Sequence, residues 1–130
     1  MKTLLLDSHA VHWWSAEPSK LSRTASRAIE SADELAVASI TWFELAWLAE
    51  HDRIRTSIPI RTWLEELADE VRTVGTTPAV AASAVALPAS FPGDPADRLI
   101  YATALAQGWK LVTKDCRLRD HRAPRPVTIW

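Results

Sequence analysis

Short apolar runs and longer helical patterns alternate along this chain. Thr3 to Leu6 is a continuous apolar run that ends at Asp7, and such runs are typical of strands buried on both faces of a parallel sheet. Four further strands are predicted at Leu35 to Ala38, Val71 to Val74, Lys110 to Thr113 and Val127 to Trp130.

Between these strands, apolar residues recur at the three- and four-residue spacing of amphipathic helices. The predicted helices cover His9 to Trp14, Leu21 to Ala32, Trp42 to Glu50, Arg61 to Val71, Thr77 to about Leu87, and Asp94 to Gln107, where Gly108 ends the last one. Alternating strands and helices predict a three-layer α/β/α fold around a mostly parallel sheet of about five strands. Ligands of such folds bind beyond the carboxyl ends of the strands.

Composition limits the class of protein further. The 130 residues, 48% of them hydrophobic, suffice for one core, and we expect one domain over residues 1–130. The single Cys116 rules out an internal disulfide framework. No segment reaches the length of a signal peptide or membrane span, so we expect a soluble cytoplasmic protein. A net charge of -1 does not by itself indicate a nucleic-acid partner.

Four acidic residues are predicted at strand ends or helix starts, where one rim of the sheet could collect them. They are Asp7, Glu44, Asp97 and Asp115. Crowded carboxylates repel one another and are costly to desolvate, so the arrangement makes sense mainly with a divalent cation. Ligands that are all oxygen favour Mg²⁺ or Mn²⁺, and such a site can activate water against a phosphodiester.

Each acid also has a structural explanation. Thr41 to Glu44 matches a capping box, and Asp94-Pro95 is a strong helix N-cap signature. Asp97 would complement the helix dipole, and Asp115 could form a turn after its strand. Asp7 is the hardest to explain structurally, because an acid that ends a buried strand has no ordinary packing role.

Four segments resemble the sequence blocks of VapC-type PIN domains, in order and at suitable spacing. They are LLDSHA at 5–10, SITWFE at 39–44, DPADRLIYATA at 94–104 and LVTKD at 111–115. The resemblance covers nearly the whole chain. It implies a PIN-like fold, a Mg²⁺ or Mn²⁺ site, endonucleolytic cleavage of RNA, a cognate antitoxin and commonly a homodimer, with no role at a membrane.

Carried over by position, Asp7, Glu44, Asp97 and Asp115 match the family's acidic quartet. Secondary candidates are Asp94, Ser8, Ser39 and Thr113. Ser8 stands where a threonine is expected and keeps the hydroxyl. For Ser39 and Thr113, hydrogen bonding at a strand end is the favoured role.

A basic segment suggests how a nearly neutral protein could hold RNA. Between Lys110 and Arg125 lie six basic side chains and two acids. We expect side chains of this segment and its neighbourhood to contact phosphate, since one guanidinium group can bind two phosphate oxygens at once. The candidates are Arg98, Lys114, Arg117, Arg119 and Arg122. Solvated arginines, or pairing with an acidic antitoxin, remain the alternative.

Among the seven tryptophans, Trp13, Trp14, Trp63 and Trp109 lie in apolar patterns and are predicted to pack in the core. Trp42 and Trp47 flank Glu44 and could face a partner. For His9 and His12 we expect local packing or hydrogen bonds rather than catalysis.

Two other functions stay open at this stage. A non-catalytic RNA- or protein-binding domain would use the acids only as caps and surface charges. A phosphatase of the haloacid dehalogenase type would use Asp7 as nucleophile, but it needs a second Asp where this chain has His9.

Overall fold

A sheet of five parallel strands runs through residues 1–122 and 125–130, the part of the chain that the computed structural model describes. The strands are β1 (Thr3–Leu6), β2 (Glu34–Ala38), β3 (Arg72–Val74), β4 (Lys110–Val112) and β5 (Thr128–Ile129). Their spatial order is β3-β2-β1-β4-β5. This confirms the predicted sheet, with strand bounds within two residues of the expected ones.

Strand β1 lies at the centre of the sheet because its side chains are apolar in both directions. Leu5 pairs with Ala36 of β2 on one side and with Leu111 of β4 on the other. Leu4 and Leu6 pack into one core cluster and Leu5 into a second. Alternation of side chains along a strand therefore supplies both faces of the sheet with core residues.

Helices cover both faces of the sheet, as the three-layer prediction requires. They are α1 (Ser8–Ala16), α2 (Arg23–Ser31), α3 (Ile40–Glu50), α4 (Ile60–Ala68), α5 (Pro78–Ala86), α6 (Pro95–Gln107) and α7 (Cys116–Arg119). Helices α1 to α4 pack with Leu4 and Leu6, while α6 and α7 pack with Leu5. Helix α5 lies against α6.

Local signals explain most helix ends. Pro78 and Pro95 occupy the first turn of α5 and α6, preceded by the N-caps Thr77 and Asp94. Gly108 ends α6 with φ of 71°, a left-handed conformation that glycine adopts without strain. The sequence prediction missed α7 and a short 3-10 turn over Pro18–Lys20, because one turn of helix is too short to show a period.

The capping box predicted at Thr41 to Glu44 is wrong. Helix α3 begins at Ile40, with Ser39 as its N-cap residue, so Thr41 already lies inside the helix and is fully buried. Glu44 is thereby released from a capping role.

The topology places a crevice where the chain reverses direction across the sheet. From β1 the chain proceeds through β2 to β3, then returns to β4 on the other side of β1. In open α/β sheets ligands bind at such switch points, beyond the carboxyl ends of the strands. None of the helices in the described part of the chain has the length and apolar character needed to cross a membrane.

Candidate active site

A cavity of about 780 Å³ opens at the carboxyl ends of β1 and β4. All four acids predicted from the sequence line it, together with Asp94. They come from separate segments: the end of β1, the second turn of α3, the start of α6 and the loop after β4. The fold therefore brings together residues that are up to 108 positions apart, from Asp7 to Asp115.

Asp7 is held at the centre of this arrangement. Its backbone N–H donates to the carbonyl of Val112 at 3.1 Å, which extends the pairing of β1 with β4. Its Oδ1 accepts from the N–H of Ala10 at 2.8 Å and caps α1. Asp7 thus has a structural role that the sequence analysis did not foresee. Burial raises the pKa of this carboxyl, while hydrogen bonds from Thr113 and Ala10 act in the opposite direction.

Glu44 faces the cavity from α3. The hydroxyl of Ser8 donates to its Oε1 at 2.5 Å, so the secondary candidate Ser8 positions this acid. Burial is the largest cause that raises the pKa of Glu44, and the negative charges of Asp94 and Asp7 raise it further. The hydrogen bond from Ser8 lowers it.

Asp94 and Asp97 lie at the start of α6 and differ in what their side chains contact. Asp94 Oδ1 accepts from the backbone N–H groups of Ala96 at 2.8 Å and Asp97 at 3.1 Å, which confirms the predicted N-cap. The side chain of Asp97 is only 18% exposed. Burial, followed by the charges of Asp94, Glu44 and Asp115, raises the pKa of Asp97 to about 7.

Asp115 differs because a cation accompanies it. The guanidinium of Arg117 donates to both its oxygens, at 3.1 Å and 2.7 Å, and the same group lies 3.3 Å from Asp97 Oδ2. These hydrogen bonds lower the pKa of Asp115. The carboxylate also accepts from the Arg117 backbone N–H and so caps α7. Arg117 thereby connects two acids of the cavity.

The donor set suits a hard divalent cation. Carboxylate oxygens surround the cavity, and the pKa values of Asp97 and Glu44 rise partly through repulsion by neighbouring acids, a repulsion that a bound cation would relieve. In the residues described, no three of these side chains are already close enough together to enclose an ion. An ion held by several of these acids would therefore require their side chains to move closer together.

The basic candidates are divided between several places. Lys114 and Arg117 line the cavity, whereas Arg119 and Arg122 line a separate one nearby. The expectation that Arg98 contacts phosphate is wrong. Its five N–H groups donate to backbone carbonyls of the segments around α5 and the following loop, at 2.9 to 3.2 Å, which leaves none for a ligand. These acceptors are Ala84, Leu87, Pro88, Phe91 and Pro92.

Two secondary candidates act outside the cavity lining. The Thr113 hydroxyl accepts from the backbone N–H of Asp115 at 3.1 Å, and hydrogen bonding by Thr113 lowers the pKa of Asp7, so this residue contacts two of the acids. Ser39 stands at the end of β2, where its backbone N–H donates to the Val74 carbonyl at 2.8 Å. The strand-end hydrogen bond favoured for the Thr113 hydroxyl fits its contact with Asp115, whereas Ser39 bonds there through its backbone and its hydroxyl does not cap α3.

Sequence reasoning missed part of the cavity wall. His9 and Trp13 line it, with ring centroids 5.5 Å apart. Both lie in α1, the helix that follows Asp7, and they are four residues apart and so share one face of it. Their closeness to Asp7 in the sequence was the signal that could have identified them. On the rim, Phe43 and Trp47 of α3 are 66% and 44% exposed. Trp42 instead packs partly against the core and donates its indole N–H to Thr73 Oγ1 at 3.0 Å.

Comparison with known proteins agrees with this geometry. The model of the PIN domain matches residues 4–123. Ribonuclease VapC22 of Mycobacterium tuberculosis (strain ATCC 25618 / H37Rv) is 72% identical over 130 residues, which is 100% of both chains.

Solved structures share the fold at low identity. A chain of a toxin-antitoxin complex from Klebsiella pneumoniae has a TM-score of 0.68 at 20% identity, covering 98% of this chain and 96% of that one. A chain of VapBC2 from Rickettsia felis, bound to a DNA fragment from their promoter, has a TM-score of 0.70 at 13% identity, covering 97% and 96%. With a family model that matches residues 4–123 and a relative that is 72% identical over the whole chain, this chain belongs to the PIN-domain family.

Proposed function

We propose that this chain is a metal-dependent endoribonuclease and the toxin of a toxin–antitoxin pair. The observation that carries the proposal is the convergence of Asp7, Glu44, Asp97 and Asp115 on one cavity at the switch point of the sheet. The 72% identity to a protein named as a ribonuclease supports the same activity. Capping alone does not account for the group, because Glu44 caps no helix and instead receives the Ser8 hydroxyl.

The resident metal we propose is Mg²⁺ or Mn²⁺, held by Asp7, Asp97, Glu44 and Asp115. When bound, such an ion supplies Lewis acidity towards the phosphodiester and the attacking water. The chain itself positions the oxygens: Ser8 holds Glu44, Thr113 holds Asp7, and the α6 backbone fixes the direction of Asp97. In the metal-free protein the pKa of Asp97 is raised to about 7, so binding of a cation near neutral pH would release its proton.

Only some of the basic side chains predicted to bind RNA are free to contact phosphate in the folded chain. Arg117 is engaged with Asp115 and Asp97, and Arg98 with backbone carbonyls. Lys114 at the cavity wall, with Arg119 and Arg122 beyond it, are the side chains we assign to phosphate contacts. Lys114 lies next to the acids that would hold the metal, whereas Arg119 and Arg122 line the separate cavity.

An antitoxin would cover the same opening. Solved relatives of this fold include toxin-antitoxin complexes. Phe43 and Trp47 form an exposed aromatic patch at the cavity rim, suited to the apolar side chains of a protein partner. We also propose a homodimer in the cytoplasm, where the exposed thiol of Cys116 would stay reduced.

The test is the Asp7→Asn variant. Asn keeps an oxygen that can accept from the Ala10 N–H, so the cap and the fold should survive while the charge that holds a cation is lost. We expect RNA cleavage in Mg²⁺ to fall at least a hundredfold with an unchanged circular dichroism spectrum. The matched control is Asp69→Asn, at the amino-terminal edge of the sheet. Cleavage by Asp7→Asn at the wild-type rate would refute the metal-nuclease assignment.

A further inference from the structure

A smaller cavity lies beside α7 and shares no lining residue with the cavity that contains the acids. Its volume is about 340 Å³, and Arg119, Arg122, Thr128 and Trp130 are among its lining residues. It therefore combines an aromatic ring, two guanidinium groups and a hydroxyl. Asp120 also lines it and opposes an anion, but the two arginines outnumber this acid.

An aromatic and basic path joins this cavity to the one that contains the acids. The rings of Trp130 and Trp13 are in contact, with centroids 5.9 Å apart, and Trp13 lines the acidic cavity. Lys114 Nζ lies 5.7 Å from the centre of the Trp13 ring, next to Asp115 in sequence. A strand that leaves the acids over Trp13 would therefore lie close to both Lys114 and Trp130.

The two arginines of the smaller cavity differ from the other basic candidates in what they contact. Arg117 is held by carboxylates and Arg98 by carbonyls. Among the residues that the structure describes, the ion pairs do not include Arg119 or Arg122, and both side chains are exposed. Their charge is available to a ligand at low desolvation cost.

We propose that this cavity is a nucleotide subsite, in which Arg119 and Arg122 bind a backbone phosphate of single-stranded RNA and Trp130 stacks on a base. The inference rests on the proposed ribonuclease function and adds a second contact point away from the scissile bond. Cationic grooves with aromatic platforms are how proteins hold single strands with little sequence preference. RNA fits better than an apolar peptide because guanidinium groups and a stacking face occur together.

The experiment measures binding of the full chain to a mixed-sequence 12-nucleotide RNA and to a dinucleotide, with Ca²⁺ in place of Mg²⁺. The variants are Trp130→Ala, Trp130→Phe and the pair Arg119→Gln with Arg122→Gln. The matched control removes two exposed arginines that line neither cavity, Arg53→Gln with Arg55→Gln. Because Trp130 packs partly against the core, the exposed arginine pair provides a test that does not depend on its packing.

We expect Trp130→Ala to weaken binding of the 12-mer roughly 5- to 100-fold, and Trp130→Phe to restore most of it. The arginine pair should flatten the dependence of log K on log salt by roughly 1.4, or about 0.7 for each lost contact. In Mg²⁺ the loss of these two arginines should raise KM for cleavage of the 12-mer more than it lowers kcat. In Trp130→Ala and in the arginine pair, the preference for the 12-mer over the dinucleotide should fall.

Three results would overturn the subsite. They are an unchanged 12-mer affinity and salt slope, an equal loss for both RNA lengths, and a loss of antitoxin binding with RNA affinity intact, which would assign the cavity to protein contact. Failure of the proposed function is recognised separately. If wild type binds the 12-mer but cleaves no RNA in Mg²⁺ or Mn²⁺, the nuclease assignment fails while the binding data still decide the subsite.

Discussion

Replacing Asp97 with asparagine should stabilise the metal-free protein at alkaline pH while removing its activity. Burial and the charges of Asp94, Glu44 and Asp115 raise the pKa of Asp97 from 3.8 to about 7. A carboxyl with a raised folded-state pKa contributes stability that is fully present below pH 3.8 and is lost as the pH rises through 7. Above pH 7 the folded protein therefore carries an unfavourable charge at this position.

The magnitude follows from the size of the shift. About 3 pKa units at 1.36 kcal/mol each set a ceiling of about 4 kcal/mol. Solvent at the open cavity and the nearby Arg117 reduce this, so we expect a gain of about 1–2 kcal/mol for Asp97→Asn at pH 8. For a domain of this size that corresponds to a rise in Tm of about 4–8 °C.

The assay is thermal unfolding in EDTA at pH 8 and pH 4, with Asp69→Asn as control. At pH 4 the wild-type carboxyl is already protonated in the folded state, so the gain should nearly vanish. Added Mg²⁺ should then stabilise the wild type more than Asp97→Asn, because the ion binds the native site. A variant with the wild-type Tm at pH 8, or with an undiminished gain at pH 4, would refute the reasoning.

Three further predictions concern the surroundings of the site. Asp94→Ala should lower the free energy of unfolding, measured in urea, by about 1 kcal/mol, because two N–H groups of α6 lose their cap. It should retain more RNA cleavage than Asp97→Ala, and lower cleavage in Asp94→Ala than in Asp97→Ala would mean that the two acids are misassigned. Arg98→Met should cost about 2–4 kcal/mol by leaving loop carbonyls without donors, and a change of RNA affinity without loss of stability would contradict this. Phe43→Ala with Trp47→Ala should weaken antitoxin binding at least tenfold by calorimetry, and undiminished affinity would exclude the aromatic rim as the contact.

Alternating patterns in the sequence were sufficient to predict the layers and the sheet. Continuous apolar residues at Thr3–Leu6 indicated a strand buried on both faces of the sheet, and proline in the first turn of helices α5 and α6 located their starts. These features depend on neighbours in the chain, which a local pattern records. The convergence of four acids could also be anticipated, because parallel strands end at the same edge.

Contacts between distant segments could not be read in this way. Only the folded chain shows that Ser8 holds Glu44, that Thr41 is buried rather than capping, and that Asp7 caps α1 as well as lining the cavity. These outcomes depend on which side chains meet after packing, and a capping motif looks the same whether its helix begins one residue earlier or later.

The basic side chains illustrate the same division. The sequence determined how many basic residues lie near Asp115 along the chain. It therefore indicated that local positive charge could attract phosphate despite a net charge of -1. Tertiary structure decided which basic side chains are available to a ligand. Arg98 is hydrogen-bonded to backbone carbonyls and Arg117 is paired with carboxylates, whereas Arg119 and Arg122 line a separate cavity. The physical reason is that a charge is fixed by residue type, whereas its partners are fixed by distance in the folded molecule.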